Sequence, residues 1–127
     1  DWSALFGEDF SGKCQYRTSF TYDSKSKDLI ISLGDIHYSC EVILNGTKIA
    51  ELFMPPYEAV IDKALLKKEN ELIITVSNTA SNTFVYFDLP EEWERKHIGP
   101  YHARALEFEK NLLLSGLSGP VEIYEIR

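Results

Sequence analysis

The sequence is poor in the residues that cross-link small domains and in the long apolar runs of membrane spans. It has 2 cysteines, 3 histidines and 1 methionine among 127 residues. Two cysteines are too few for a disulfide scaffold. Cys14 and Cys40 both fall in predicted strands and could pair only from neighbouring strands in register, so we expect free buried thiols. No apolar run reaches the ~18 residues of a membrane-spanning helix.

Positive charge is also scarce. The sequence has 13 lysines and arginines and 20 acidic residues, which gives a formal net charge of −7. A nucleic-acid backbone or an anionic membrane surface attracts clustered basic side chains, whereas the basic residues here are scattered. We therefore expect neither nucleic acid nor a membrane as a partner.

The motifs of common catalytic and metal centres are missing. The sequence has no HExxH, CxxC, GxSxG, P-loop or GxGxxG pattern, and the five-residue spacing of His97 and His102 does not align them on one helical face. We expect no cofactor and no catalytic constellation, although a structural calcium ion on a loop is possible. The glutamates between residues 91 and 109 lie among basic residues, as on a solvated helix face.

Alternating apolar residues dominate what is present. Along residues 13–22, Cys14, Tyr16, Thr18, Phe20 and Tyr22 share one face, which is typical of a half-buried strand. The same reasoning predicts further strands at 28–33, 39–44, 47–53, 57–61, 71–77, 83–87, 112–114 and 121–126. Strands at such regular spacing favour a sandwich or jelly roll.

Turn signals separate these strands. Asn45-Gly46 predicts a two-residue hairpin, because type I′ turns need positive φ at both central positions. With Thr47 it also matches a glycosylation sequon, but the turn explains it sufficiently. Asp62 predicts the cap of one helical turn over 63–66.

Three segments lack the alternation that predicts strands. Residues 1–12 are predicted to form an extended lead-in anchored by Trp2, Phe6 and Phe10. Residues 88–96 and 100–109 are predicted to form a short helical insertion, and residues 115–120 a glycine-rich corner. The expected fold is therefore an all-β jelly-roll sandwich with a short helical insertion, forming one domain over residues 1–127.

Since the chain starts at Asp1 without a signal peptide, we expect a fragment of a larger protein.

An ordered set of short motifs resembles one known module, the sugar-binding domain of family 2 glycoside hydrolases. The matching segments are FSG at 10–12, YRTSF at 16–20, LGDI at 33–36, CEVILNG at 40–46, Pro55, Pro56, Asp62, Leu65, residues 70–78 and SGLSGPV at 115–121. The chain departs from the family pattern at Glu69, where many relatives have glycine, and in the insertion 83–111.

The resemblance implies a galactose-binding-like, non-catalytic accessory domain of a glycoside hydrolase, packed on the catalytic domain of the same polypeptide. It implies carbohydrate as a partner and points to a secreted or periplasmic bacterial enzyme. Two alternatives stay open, a purely structural domain without sugar affinity and a stand-alone small hydrolase.

Sugar sites combine aromatic rings with planar polar groups at loop ends. On that character alone, the candidate carbohydrate-binding residues are Tyr57, Asn82, Trp93, Tyr101, His102 and Arg104. Taken individually, each of them is better explained by a structural role in packing or turn formation than by sugar binding.

Overall fold

The computed structural model describes residues 1–23, 26–87, 96 and 113–126, with Val85 described by its backbone alone. The chain divides into two compact units: Asp1–Gly12 with Thr79–Ser115, here the helical unit, and Lys13–Asn78 with Gly116–Arg127, here the strand unit. The expected single domain over 1–127 stays a prediction.

The fold is an all-β sandwich with a small helical insertion, as predicted. The described part of the strand unit contains β1 (Lys13–Thr21), β2 (Leu29–Ser32), β3 (Asp35–His37), β4 (Ser39–Leu44), β5 (Thr47–Leu52), β6 (Glu58–Ile61), β7 (Glu69–Ser77), β8 (Gly116–Gly119) and β9 (Glu122–Glu125). They form a four-stranded sheet in the order β1-β7-β4-β5, a three-stranded sheet β6-β2-β9 and a pair β3-β8. All strand pairs within these sheets are antiparallel.

The core of the strand unit follows the predicted alternation. The inward-facing apolar residues of β2, β4 and β7 are almost fully buried. They are Leu29, Ile31, Val42, Leu44, Leu72, Ile74 and Val76. Their outward neighbours on β4 and β7 are polar or only half-buried. One face of each strand is therefore removed from water, which is the main stabilising contribution to such a sandwich.

The two strongest local predictions are confirmed. Asn45 and Gly46 have φ of 50° and 84° between β4 and β5, as a type I′ hairpin requires. Asp62 accepts a hydrogen bond from the backbone N–H of Ala64 at 2.7 Å and caps a single 3-10 turn over Lys63–Leu65.

A β-bulge in β5 changes the register of this hairpin. Next to the turn Ile43 is opposite Lys48, but the following pair is Val42 with Ala50, so that Ile49 is the extra residue. Beyond the bulge Glu41 lies opposite Glu51. Bulges bend a strand and re-aim its side chains. This one was not predicted, because no residue of 47–52 marks it in the sequence.

The predicted glycine-rich corner at 115–120 is wrong over most of its length. Gly116–Gly119 forms β8, which pairs with β3, a strand that the sequence analysis also missed. The two strands are short and far apart in sequence, so their pairing leaves no local periodicity. Gly34, just before β3, has φ of +64°, and a Cβ there would collide with the backbone of Gly119.

The helical unit corrects two further predictions. The supposed extended lead-in contains a short helix, α1 (Ser3–Phe6), and the supposed strand at 83–87 is part of a helix, α2 (Ser81–Tyr86). Trp2 is buried and meets Phe10 edge-on at 5.6 Å between ring centroids. Phe6 does not act as a buried anchor, because 52% of it is exposed.

The physical reason for the second error is local. Aromatic and β-branched residues at 83–87 favour a strand, but backbone bonds from Phe84 to Ala80 and from Phe87 to Thr83 close helical turns there. The predicted helices at 88–96 and 100–109 lie outside the described residues, apart from Lys96. Leu113 and Leu114 are not in a strand, contrary to the prediction for 112–114.

The two cysteines are free, as predicted, although Cys14 is only partly buried. Both are register partners of Val76, one from β1 and one from β4, on opposite sides of β7. Two inter-strand spacings separate them by ~10 Å, beyond the reach of a disulfide. No helix in the described part of the chain is long and apolar enough to cross a membrane.

Candidate functional site

The predicted sugar-binding residues fall into two groups. Trp93, Tyr101, His102 and Arg104 lie outside the described residues, so their assignment stays a prediction. Tyr57 belongs to the strand unit and Asn82 to the helical unit, and each is considered within its own unit.

Tyr57 is a packed ring with an occupied hydroxyl. It is 8% exposed, and its Oη donates to the backbone carbonyl of Tyr38 at 2.9 Å. Its backbone carbonyl accepts from Leu33. Burial, followed by the nearby Cys40, Asp35 and Tyr38, raises the pKa of the phenol. The side chain fixes the connection between β3 and β4.

Asn82 is similarly engaged. It is 4% exposed, and its Nδ2 donates to the Leu113 carbonyl at 2.8 Å and to Ser115 Oγ at 3.4 Å. Its Oδ1 accepts from the Leu113 N–H at 2.7 Å. The amide therefore attaches the segment 113–115 to α2, in agreement with a structural role.

A second amide network holds the hairpin tip. Asn45 Nδ2 donates to the Leu65 carbonyl and to Asn70 Oδ1, both at 2.9 Å, and Asn45 Oδ1 accepts from the Glu71 N–H. Asn70, which is 1% exposed, also exchanges two hydrogen bonds with the backbone of Lys67. A glycan on Asn45 Nδ2 would disrupt these contacts, which supports the turn interpretation of the sequon.

The outer face of the four-stranded sheet carries a groove that the sequence analysis did not identify. The sheet-face groove has a volume of about 180 Å³. Its lining includes Lys13, Ser39, Glu41, Glu51, Phe53 and Thr75. β1, β7, β4 and β5 all contribute, and Phe53 follows directly after β5.

Register explains how these side chains meet. Glu41 lies opposite Thr75 on one side and, beyond the bulge, opposite Glu51 on the other. Lys13 and Ser39 are both partners of Ser77 in the neighbouring row. The strand alternation could have placed Glu41 and Thr75 outward, but the bulge that brings Glu51 beside them has no clear sequence signal.

The charges of the groove are unevenly satisfied. Glu51 forms an exposed ion pair with Lys48 at 3.2 Å. In the described part of the chain, no hydrogen bond or ion pair engages the side chain of the half-buried Glu41, nor that of Lys13. Phe53 is 65% exposed. With respect to the described residues, the groove thus offers an unengaged carboxylate, an unengaged ammonium group and an aromatic wall.

The described residues do not include a group of three or more His, Cys, Asp or Glu side chains that could hold a metal ion. Glu41 and Glu51 are the carboxylates of the groove, and neither is buried. The polar groups of the groove are suited to hydrogen bonding.

Comparison with known proteins relates the chain to segments of glycosidases. A curated protein of Formosa agariphila named "Putative beta-glucuronidase" is 29% identical over 152 residues, covering 96% of this chain and 13% of that protein. The structure of a rhamnosidase from Novosphingobium sp. PP1Y matches with a TM-score of 0.65 and 28% identity, over 90% of this chain and 11% of the rhamnosidase.

A beta-D-glucuronidase structure from Dictyoglomus thermophilum matches over 56% of the chain with a TM-score of 0.50 and 22% identity, which supports the fold alone. No protein-family model matches the sequence. The chain spans only about an eighth of the length of the proteins that it resembles over nearly all of its own length.

Proposed function

We propose that this chain is a non-catalytic accessory domain of a glycoside hydrolase, of the family 2 sugar-binding type, that binds carbohydrate and packs on the catalytic domain of the same polypeptide. The observation that carries the proposal is that nearly all of this chain matches only a small part of much longer glycosidases. The chain aligns over 96% and 90% of its length with 13% and 11% of two glycosidases. A segment of this size corresponds to one domain of a multidomain enzyme.

The described residues support the non-catalytic part. Glycoside hydrolysis needs two carboxyl groups with separate roles, one of them protonated at the start. The carboxylates of the sheet-face groove sit on an open sheet surface, and Glu51 is exposed and paired with Lys48. The proposed role also requires no cofactor.

A purely structural domain is the second candidate. The specific observation in its favour is that Tyr57 and Asn82 use their polar atoms within the protein. A domain whose predicted site residues are occupied in this way could serve only to pack against its neighbours.

Calorimetric titration of the intact chain with a panel of saccharides separates the two candidates. We expect heat of binding with at least one sugar and no turnover of aryl glycosides. Absence of binding across the panel would favour the structural domain, whereas clear aryl-glycoside hydrolysis would refute the non-catalytic assignment. EDTA should leave binding and Tm unchanged. A fall in Tm on chelation would instead reveal a structural calcium ion, because removing an ion bound to the native state destabilises it.

A further inference from the structure

The sheet-face groove has the composition of a site for a polar ligand with one flat apolar face. Phe53 presents an aromatic ring that is 65% exposed, while Glu41, Glu51 and Lys13 supply charged hydrogen-bonding groups. Ligand sites typically join an aromatic or apolar wall to a few polar groups that fix orientation. A sugar ring has both features, because its C–H face packs on an aromatic ring while its hydroxyls donate and accept.

Glu41 makes the strongest case for a ligand. Its half-buried carboxylate has no hydrogen-bond or ion-pair partner among the residues that the structure describes, and it lies opposite the like charge of Glu51. Like charges directly opposite each other across two strands are unfavourable. A ligand hydroxyl that donates to Glu41 would provide the missing partner, since a carboxylate only accepts.

We infer that the sheet-face groove is a saccharide-binding site, with Phe53 as the stacking surface and Glu41 as the principal hydroxyl acceptor. This inference rests on the proposed carbohydrate-binding function and gives it a location different from the predicted loop residues. Lys13 donates to ring or hydroxyl oxygens, and Ser39 and Thr75 complete the polar wall.

Charge and size define the ligand class more closely. Glu51 is already paired with Lys48, which leaves Glu41 and Lys13 as the charged groups of the groove that no described residue engages. A uronic acid would bring a second carboxylate close to Glu41 and be repelled, so the site selects neutral sugars. The groove of about 180 Å³ is smaller than the ~300–1,000 Å³ of pockets that enclose a drug-sized ligand. It therefore holds one sugar ring of a longer chain.

The test titrates the intact protein with neutral gluco-, galacto- and rhamno-oligosaccharides and with an oligosaccharide containing glucuronic acid. Phe53→Ala and Glu41→Gln should each raise the Kd for the neutral ligand about tenfold or more, as expected for the loss of a stacking surface or of a charged hydrogen bond. Glu41→Gln keeps the size and shape of the side chain.

Matched controls come from the three-stranded sheet. Val60 in β6 is 57% exposed, and Glu122 lies exposed in β9. Val60→Ala and Glu122→Gln should leave the Kd within about twofold of the unmodified protein. Circular dichroism and Tm of every variant establish that it is folded before its Kd is compared.

Each outcome has a distinct meaning. No binding of any saccharide to the unmodified protein contradicts both the site and the proposed carbohydrate binding. Sugar binding that survives Phe53→Ala and Glu41→Gln refutes this site and leaves the proposed function standing. Tighter binding of the glucuronic-acid ligand than of the neutral ones overturns the selectivity for neutral sugars.

Discussion

The amide network around Asn70 should be among the most sensitive points of the strand unit. Asn70 is 1% exposed and makes three side-chain hydrogen bonds, one with Asn45 at 2.9 Å and two with the backbone of Lys67 at 2.8 and 2.7 Å. Asn70→Ala removes all three, so the backbone of Lys67 loses both of its bonds to Asn70, while Asn45 keeps its bonds to Leu65 and Glu71. At about 0.5–1.5 kcal/mol per bond, the free energy of unfolding should fall by about 2–4 kcal/mol.

Urea denaturation of the intact chain, followed by far-UV circular dichroism, measures this loss. The midpoint should fall by roughly 1–2 M at the m-values of small domains. Gln15→Ala is the control, because Gln15 is an exposed amide with a single long bond of 3.4 Å to Thr75. It should change stability by no more than about 0.5 kcal/mol.

A double-mutant cycle isolates the shared bond. Asn45→Ala and Asn70→Ala each break the Asn45–Asn70 contact, so the double variant should lose less than the sum of the two single losses. The coupling should be about 0.5–1.5 kcal/mol. If Asn70→Ala is as stable as Gln15→Ala, or if the losses of Asn45→Ala and Asn70→Ala simply add, this network does not stabilise the hairpin.

Three further predictions concern the same unit. Gly34→Ala should lower the free energy of unfolding by about 2 kcal/mol or more, because Gly34 has positive φ and its new Cβ would meet Gly119; a Tm equal to that of the unmodified protein would contradict this. Burial raises the pKa of Cys40 from 9.0 to about 11. The neutral, buried thiol therefore contributes fully to the free energy of unfolding below pH 9, and about 2–3 kcal/mol of this free energy is lost as the pH rises to about 11. In denaturation experiments between pH 9 and about 11, the free energy of unfolding should fall less for Cys40→Ala than for the unmodified protein. Glu41→Gln should raise stability by about 0.2–1 kcal/mol at low salt by relieving its repulsion with Glu51, and a gain that does not shrink in 1 M NaCl would indicate another cause.

Local signals determined what could be predicted from the sequence. The Asn45-Gly46 turn and the Asp62 cap each depend on residues within a few positions, and both are observed. The inward positions of β2, β4 and β7 follow from a period of two, which burial of one sheet face imposes. The turn, the cap and the inward strand positions could be predicted because each depends on residues that are close together in the sequence.

Long-range pairing accounts for the main errors. β3 and β8 are short strands whose partners lie about 80 residues away, so nothing near Gly116 or Asp35 shows the pairing. The segment 83–87 has strand-like composition, but its backbone forms helical hydrogen bonds. Intrinsic propensity is a weak guide where tertiary context decides.

The candidate site was the least predictable part. Tyr57 and Asn82 were chosen for their chemical character, and the structure shows both engaged in internal hydrogen bonds. The residues of the sheet-face groove come from four strands, and their proximity depends on register. Sequence pattern alone placed Glu41 and Thr75 in strands but could not place Glu51 and Phe53 beside them.

The bulge at Ile49 decides which side of the sheet Glu51 faces. If all residues of β5 were paired in turn, Ala50 would lie opposite Glu41, and Glu51 would lie opposite Cys40 on the inward side. Cys40 is 2% exposed, so a regular ladder would place a carboxylate in the core, which is costly without a partner. Loss of Ile49 would instead remove the bulge and keep Glu51 opposite Glu41, because the deleted residue is the one that has no partner. The burial cost of one acidic side chain therefore favours the irregular hairpin over the regular one for this sequence.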